Sequence, residues 1–239
     1  FAVHDGEGLR TTIFFKGCPL RCRWCQNPEG LLPQRKPIYL ENKCMHCRNC
    51  EKQGAGKIVY QDRPVFIEDD LDEVFKYCPT DAIQYDSSYY SLEELVDKVM
   101  EDEVFFKYGG GVTVSGGEPF MQQKKLIQLL EELHTKVHTA IETSLYTSLD
   151  LVKQAAPYLD QIYCDLKIED DKAHLEATGV SNTIIKENLS YLLTSEHKDK
   201  VIVRTPLIPG YTGDDDNIKS IASYLYSLYP EVRYELLNY

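Results

Sequence analysis

The residues best placed to do chemistry are three cysteines in KGCPLRCRWCQNPEG, spaced Cys18-x3-Cys22-x2-Cys25. Three thiolates in one tight loop can hold three corners of an iron–sulfur cube and leave the fourth iron open to a ligand that is not protein. Structural zinc needs four protein ligands, and no histidine or cysteine nearby completes such a set. A second trio, Cys44-x2-Cys47-x2-Cys50, is followed further on by Cys78-Pro79. Bacterial ferredoxins combine a three-cysteine run of this spacing with a Cys-Pro ligand. These four thiolates suit one fully protein-ligated [4Fe–4S] cluster, and a four-cysteine zinc ribbon is the competing reading. The last cysteine, Cys164, has no partner at ligand spacing and reads as a small packing residue. Metal-ligand trios of this kind favour a reducing, cytoplasmic setting over a disulfide framework.

Polar residues of the second half cluster just after apolar runs. Gly116-Gly117-Glu118-Pro119 follows VTVS, Glu142-Thr143-Ser144 follows VHTAI, and Asp165-Leu166-Lys167 follows QIYC. Glycines permit close backbone approach, and an acidic or carbonyl group can receive an ammonium. Strand alternation sends Asp165 and Lys167 to one side and Leu166 to the other, with Cys164 opposite the charged pair. Such a pair on an inward face is costly unless something polar fills the space. Arg204, in VIVRTPLIPG, stands on a comparable strand.

The elements that must carry these residues are six strands, 9–16, 109–115, 137–144, 161–168, 201–208 and 232–237. Between the later strands lie helical patterns at 91–100, 124–134, 149–159, 181–194 and 216–229. Ser91 with Glu94 three residues on marks a capping-box start. Asp214-Asp215-Asp216 reads as an acidic helix N-terminus, and YLYSLY reads as helix packing. Alternating strands and helices call for right-handed βαβ units around a parallel sheet, either an open doubly wound sheet or a partial barrel. In both, ligands sit at the carboxyl ends of the strands, where most of these polar residues fall. Residues 26–90 lack this rhythm and read as an inserted metal-organised module. The expected organisation is therefore 1–25 (first strand and cysteine loop), 26–90 (insert) and 91–239 (remaining βα units).

The CxxxCxxC loop after a first strand, with Trp24 before its last cysteine, resembles the radical S-adenosylmethionine (SAM) superfamily. FAVHDGEGLRTTIFFKGCPLRCRWCQNPE and GGGVTVSGGEPFMQ resemble, more narrowly, the activating enzymes of glycyl radical enzymes, including those of pyruvate formate-lyase type. The resemblance implies a partial (β/α)6 barrel of α/β class with a ferredoxin-like insert. It implies an oxidoreductase in which the open iron binds the amino and carboxylate groups of SAM. Reductive cleavage there yields a 5′-deoxyadenosyl radical, which takes hydrogen from a backbone glycine of the partner enzyme. It implies SAM contacts at Trp24, Gln26, Gly117, Glu118, Glu142, Ser144, Asp165, Lys167 and, through a carboxylate or carbonyl, Arg204. It carries a monovalent-cation role to Glu142 and Thr143, and no catalytic residue beyond the cluster.

It also implies a glycyl radical enzyme as partner, a flavodoxin or ferredoxin as reductant, and a cytoplasmic monomer of anaerobic metabolism. Departures from the family are Glu7 where proline is usual and Leu145 where glycine is usual. A further departure is an insert of four cysteines where long members usually carry eight, and the late histidine of the family pattern is absent or truncated where the sequence stops at LLNY. The six histidines form no ligand-like pair and read as surface or capping residues, with His46 between two cysteines able to tune a cluster through hydrogen bonding.

Two other functions compete. A radical SAM enzyme acting on a small molecule, such as a deazapurine synthase, shares the cysteine loop and GGEP but lacks the Asp5-Gly6-x-Gly8-x-Arg10 opening and the insert. A ferredoxin-like carrier needs no open iron and no six-strand scaffold. The net charge of −12 argues against a broad nucleic-acid face. No run approaches the ~18 apolar residues of a membrane span, and the opening shows no export signal.

Overall fold

A computed structural model describes residues 8–107 and 109–238. The chain forms two compact units, one of Phe1–Pro33 with Tyr90–Tyr239, the other Gln34–Tyr89. The larger unit opens with β1 (Arg10–Phe15), and the smaller holds β2 (Pro37–Tyr39), α1 (Asn49–Gln53), β3 (Ile58–Tyr60), β4 (Pro64–Phe66), α2 (Asp72–Phe75) and β5 (Ile83–Tyr85). The larger unit resumes with α3 (Leu92–Met100), α4 (Glu103–Phe106), β6 (Gly111–Gly116), α5 (Gln123–Leu133), β7 (Thr139–Thr143) and α6 (Leu149–Ala155). It ends with β8 (Gln161–Asp165), α7 (Asp171–Thr178), α8 (Thr183–Thr194), β9 (Val201–Leu207), α9 (Asp215–Leu228) and β10 (Arg233–Asn238).

Six strands pair in parallel in the order β1-β6-β7-β8-β9-β10. Every crossover steps the same way along the sheet, so right-handed connections stack the helices on one face. A doubly wound sheet requires a reversal of direction, and this order contains none. The larger unit is thus an open six-stranded sheet in barrel order, the partial-barrel alternative of the two. One core joins the sheet to its helices: Val112, Val114, Ile141, Ile162, Cys164, Val201 and Val203 meet Leu126, Leu130, Leu133, Val152, Leu189, Leu192 and Ile221. Alternation then turns Thr113, Ser115, Glu142, Tyr163, Asp165 and Arg204 to the opposite face. There the only apolar cluster among the described residues is Ala140, Tyr163 and Ile202.

Helix starts follow local chemistry. Ser91 Oγ accepts from Glu94 N–H while Glu94 accepts from Ser91 N–H, closing the capping box of α3. Asp214 caps α9. After α6, Pro157 removes a donor and the chain tightens into a short 3-10 turn, Ala156–Tyr158. Helix α7 is absent from the sequence-based expectation, because its buried residues are His174, Ala177 and Thr178 and no large apolar stripe marks it. Its ends carried the usable signal: Asp170 caps it, and Gly179 at φ 81° terminates it.

Residues 28–31, grouped with the insert by composition, belong to the larger unit: Gly17 N–H donates to Gly30 O at 2.8 Å and Cys18 N–H to Leu31 O at 3.2 Å. The smaller unit pairs β2 with β5 and β3 with β4, both antiparallel. Its own core is Cys50, Ile58, Tyr60, Leu71, Val74 and Ile83.

Candidate active site

The cysteine loop leaves β1 at Gly17, whose φ of 98° suits glycine. Its far side rests on α7: Arg21 N–H donates to Thr178 O at 2.6 Å and Arg23 N–H to Ala177 O at 3.2 Å. A helix leaves its last four carbonyls without intrahelical donors, and here the loop's amides supply two. Trp24 is buried among Ile168, Ala177 and Ile208, with Cys22 packed alongside, and its ring centroid lies 5.3 Å from that of Tyr211. Gln26 is exposed just beyond Cys25.

The glycine turn after β6 is stitched under this loop. Gly117 N–H donates to Phe15 O at 2.8 Å, and Glu118 N–H donates to Gly17 O at 2.7 Å. A Cβ on Gly117 would collide with Gly17 O and Gly30 O, so glycine is required by the chain's own packing. Glu118 is 1% exposed, and its carboxylate is engaged within the chain. Oε1 accepts from Thr143 Oγ1 at 2.7 Å and Phe120 N–H at 3.3 Å, while Oε2 accepts from Ser144 N–H at 2.8 Å and Ser144 Oγ at 2.5 Å. Burial pushes this carboxyl above its ordinary range, and the hydrogen bonds from Ser144 and Thr143 oppose that rise. Glu118 therefore clamps the β6 loop to the β7 loop.

Leu145 occupies the left-handed region at φ 59°, so the turn after β7 keeps a glycine-type conformation although leucine stands there. Packing holds it: the side chain is 1% exposed, and Asn188 Nδ2 donates to Leu145 O at 2.9 Å and Thr147 O at 2.8 Å.

After β8, Lys167 Nζ pairs with Asp165 Oδ2 at 2.7 Å, with side chains 12% and 34% exposed. Burial would lower the Lys167 pKa, but Asp165, Cys22 and Cys18 outweigh it and raise it. Burial raises Cys22, which Lys167 partly counters, and pushes Cys18 up to about 11. Asn217 fixes this strand end through Nδ2 to Lys167 O at 3.1 Å, and Thr205 Oγ1 donates to Leu166 O at 2.6 Å.

Arg204 lies on the sheet's inner face rather than at the loop. Its Nη1 pairs with Glu142 Oε1 at 2.9 Å, its Nε with Glu235 Oε2 at 3.0 Å, and its guanidinium lies 3.6 Å from the Tyr163 ring centroid. Ser115 Oγ donates to Glu142 Oε2 at 2.6 Å. Sequence reasoning missed Tyr163 and Glu235, which meet Arg204, and Ser115, which meets Glu142, because these meetings depend on strand register. Glu142 thus has partners on both oxygens, and the Thr143 hydroxyl faces Glu118 and Leu145 N–H. His174 and His197, expected as surface or capping residues, are buried. Of the Asp5-Gly6-x-Gly8-x-Arg10 opening, residues 5–7 lie outside the described residues. Arg10 is buried at the start of β1, bonded to Thr113 Oγ1 at 2.7 Å and Val112 O at 2.6 Å.

The donor sets suit iron–sulfur clusters. Cys18 lies within electrostatic reach of Cys22 and Cys25, and Cys50 within reach of Cys47 and Cys78. Among the described residues no three His, Cys, Asp or Glu side chains close on a single-ion site. A cube takes its thiolates on separate irons, and sets of three and four soft sulfur donors fit it. Cys78 Sγ also accepts Ala82 N–H at 3.2 Å, and Cys44 Sγ accepts His46 N–H at 3.4 Å.

Comparisons with known proteins agree. A "4Fe-4S single cluster domain" family matches residues 4–186. The indoleacetate decarboxylase activating enzyme of Tractidigestivibacter scatoligenes is 35% identical over 94% of this chain and 76% of its own length. The isethionate sulfite-lyase activating enzyme of Oleidesulfovibrio alaskensis is 38% identical over 100% of this chain and 81% of its own. The chain belongs to the activating enzymes of glycyl radical enzymes. It is a radical SAM enzyme that activates its partner through reductive cleavage of SAM at a [4Fe–4S] cluster. The small-molecule and carrier readings are not favoured by these relatives. In fold alone this activating enzyme also resembles Streptococcus suis SuiB bound to S-adenosylmethionine, with TM-score 0.51 and 18% identity over 65% of this chain and 35% of SuiB. None of the helices among its described residues is long and apolar enough to cross a membrane.

Proposed function

We propose that Cys18, Cys22 and Cys25 hold the SAM-binding cluster, with SAM lying between Trp24, Gln26, the Gly117 turn, Asp165 and Lys167. The observation that carries this is the half-buried Asp165–Lys167 pair within electrostatic reach of Cys22 at the carboxyl ends of the strands. The amino-acid head of SAM bears both charges, so an ammonium and a carboxylate held 2.7 Å apart can read it. Trp24 supplies an apolar wall that excludes water beside Cys22. Glu118, Thr143 and Ser144 position the two loops, and Glu142 with Arg204 forms a fixed polar floor beneath them. When bound, the cluster and SAM supply a one-electron reduction that releases a carbon radical able to take hydrogen from a backbone glycine.

The reading extends to one auxiliary [4Fe–4S] cluster on Cys44, Cys47, Cys50 and Cys78, with no vacant iron and hence a relay or structural role. A flavodoxin or ferredoxin is the proposed electron source, and the setting is a cytoplasmic monomer. The relatives' partners act on unlike substrates at similar identity, so the substrate belongs to the partner and is not written in this chain.

Anaerobic reconstitution tests the assignment. About eight irons per chain are expected as two cubes, and about half after Cys18, Cys22 and Cys25 are replaced by alanine. Replacing Cys44, Cys47 and Cys50 should leave SAM bound and slow glycyl radical formation with a protein reductant, with a strong chemical reductant restoring SAM cleavage. Zinc without iron in the insert would remove the auxiliary cluster, and equal loss with both reductants in a folded variant would remove the relay.

A further inference from the structure

Helix α7 is the platform of the cysteine loop: Thr178 O accepts from Arg21 N–H at 2.6 Å and Ala177 O from Arg23 N–H at 3.2 Å. A helix of eight residues frays at its end unless something ties the last turn. The tie here is His174, buried with Ala177 and Thr178 on one face of the helix. Its Nδ1 lies 2.8 Å from Val180 O, the carbonyl that follows the Gly179 cap at φ 81°. Burial lowers the imidazole pKa and favours the neutral ring. A carbonyl can only accept, so the single ring proton sits on Nδ1 and is donated to Val180. Thr178 Oγ1 stands 3.1 Å from the same nitrogen and donates back to His174 O at 2.8 Å. The other ring nitrogen, Nε2, is buried and has no hydrogen-bond partner among the described residues. One nitrogen is committed to the helix end and the other is idle.

We propose that His174 is a positioning residue for the SAM-binding cluster: its Nδ1–H ties Val180 to the last turn of α7 and so holds the Ala177 and Thr178 carbonyls where the cysteine loop needs them. The inference rests on the assignment of Cys18, Cys22 and Cys25 to that cluster. Arg21 and Arg23 flank Cys22, so a helix end that wanders displaces the middle ligand of the three. A loop in place only part of the time binds SAM in proportion to that fraction. Asparagine carries its amide nitrogen as many bonds from the backbone as Nδ1, whereas the glutamine amide reaches further, toward the position of Nε2. The two replacements therefore ask which nitrogen matters.

The test is calorimetric SAM binding to the reconstituted full chain and its His174→Asn, His174→Gln and Thr178→Val variants, with circular dichroism reporting the fold of each. His174→Asn keeps the donor and should bind SAM within about twofold of the unmutated chain. His174→Gln should weaken binding about tenfold, as for a loop in place in about a tenth of the molecules. At subsaturating SAM, the change that SAM induces in the EPR signal of the reduced cluster should shrink to match. Thr178→Val keeps the side chain's shape without its hydroxyl and should weaken binding in the same direction. Unchanged affinity in both His174→Gln and Thr178→Val overturns the proposal. Weak binding by His174→Asn with full binding by His174→Gln also overturns it, by giving the role to Nε2. Equal loss in the two makes the ring's packing the cause and overturns it as well. Loss of fold in both His174→Gln and Thr178→Val overturns it by making the tie a folding group; if His174→Gln alone unfolds, the other two variants decide. An unmutated chain that takes up iron yet binds no SAM overturns the cluster assignment itself, a separate and recognisable failure.

Discussion

Replacing Leu145 with glycine and, separately, with alanine separates backbone strain from packing in the turn that presents Thr143 and Ser144 to Glu118. The residue's φ of 59° lies where an L side chain costs about 1–2 kcal/mol. Its side chain is 1% exposed in the main core. Leu145→Ala leaves the strain in place and opens a cavity, for a loss of about 2–5 kcal/mol. Leu145→Gly opens much the same cavity but relieves the strain, against about 0.5–1 kcal/mol for glycine's greater freedom in the unfolded chain. The glycine variant should therefore be the more stable of the two by about 0.5 kcal/mol, the reverse of the usual order inside regular structure. Urea unfolding of the anaerobic, reduced protein reads this as a higher midpoint at unchanged slope. SAM binding should survive in Leu145→Gly, because the turn's carbonyls at Leu145 and Thr147 still accept from Asn188. An alanine variant more stable than the glycine variant by 0.5–1 kcal/mol or more would refute the claim that packing strains this turn.

Replacing Lys167 with alanine, or Asp165 with asparagine, should weaken SAM binding about tenfold or more, as expected for losing a charge-assisted contact. Calorimetry checks the affinity and the visible spectrum should show the clusters intact; unchanged affinity in both variants would remove this pair from the SAM site. Glu118 adds a pH dependence with a definite sign. Its folded pKa is raised above the ordinary 4.5 by burial, so its contribution to stability is fully present below that value and is lost as pH rises through the folded pKa. Glu118→Gln cannot titrate, so the unmutated protein should lose urea stability relative to the variant as pH climbs upward from about 4.5; parallel profiles would contradict the raised pKa.

Cysteine spacing, strand runs and helix caps are local, and they were legible in the chain alone. The loop Cys18–Cys25 follows a strand because RTTIFF is β-branched and aromatic, and Gly17 then breaks it. Cys164 reads as packing because alternation opposes it to Asp165, and it is 1% exposed. Helix α7 was hidden because its buried face is His174, Ala177 and Thr178, which no hydrophobic period reveals, although it carries the carbonyls on which the cysteine loop rests. The choice between doubly wound and barrel order required the strand order itself, which no single segment encodes. Glu118 could be read only as a ligand-type carboxylate until the fold aimed Thr143 and Ser144 at it from the next strand's loop. Arg204 likewise becomes a floor residue only because register places it opposite Glu235 and within reach of Glu142. Periodicity and ligand spacing report what a few neighbouring residues prefer. Which charge meets which across a sheet is decided by strands far apart in sequence, and only folding brings them together.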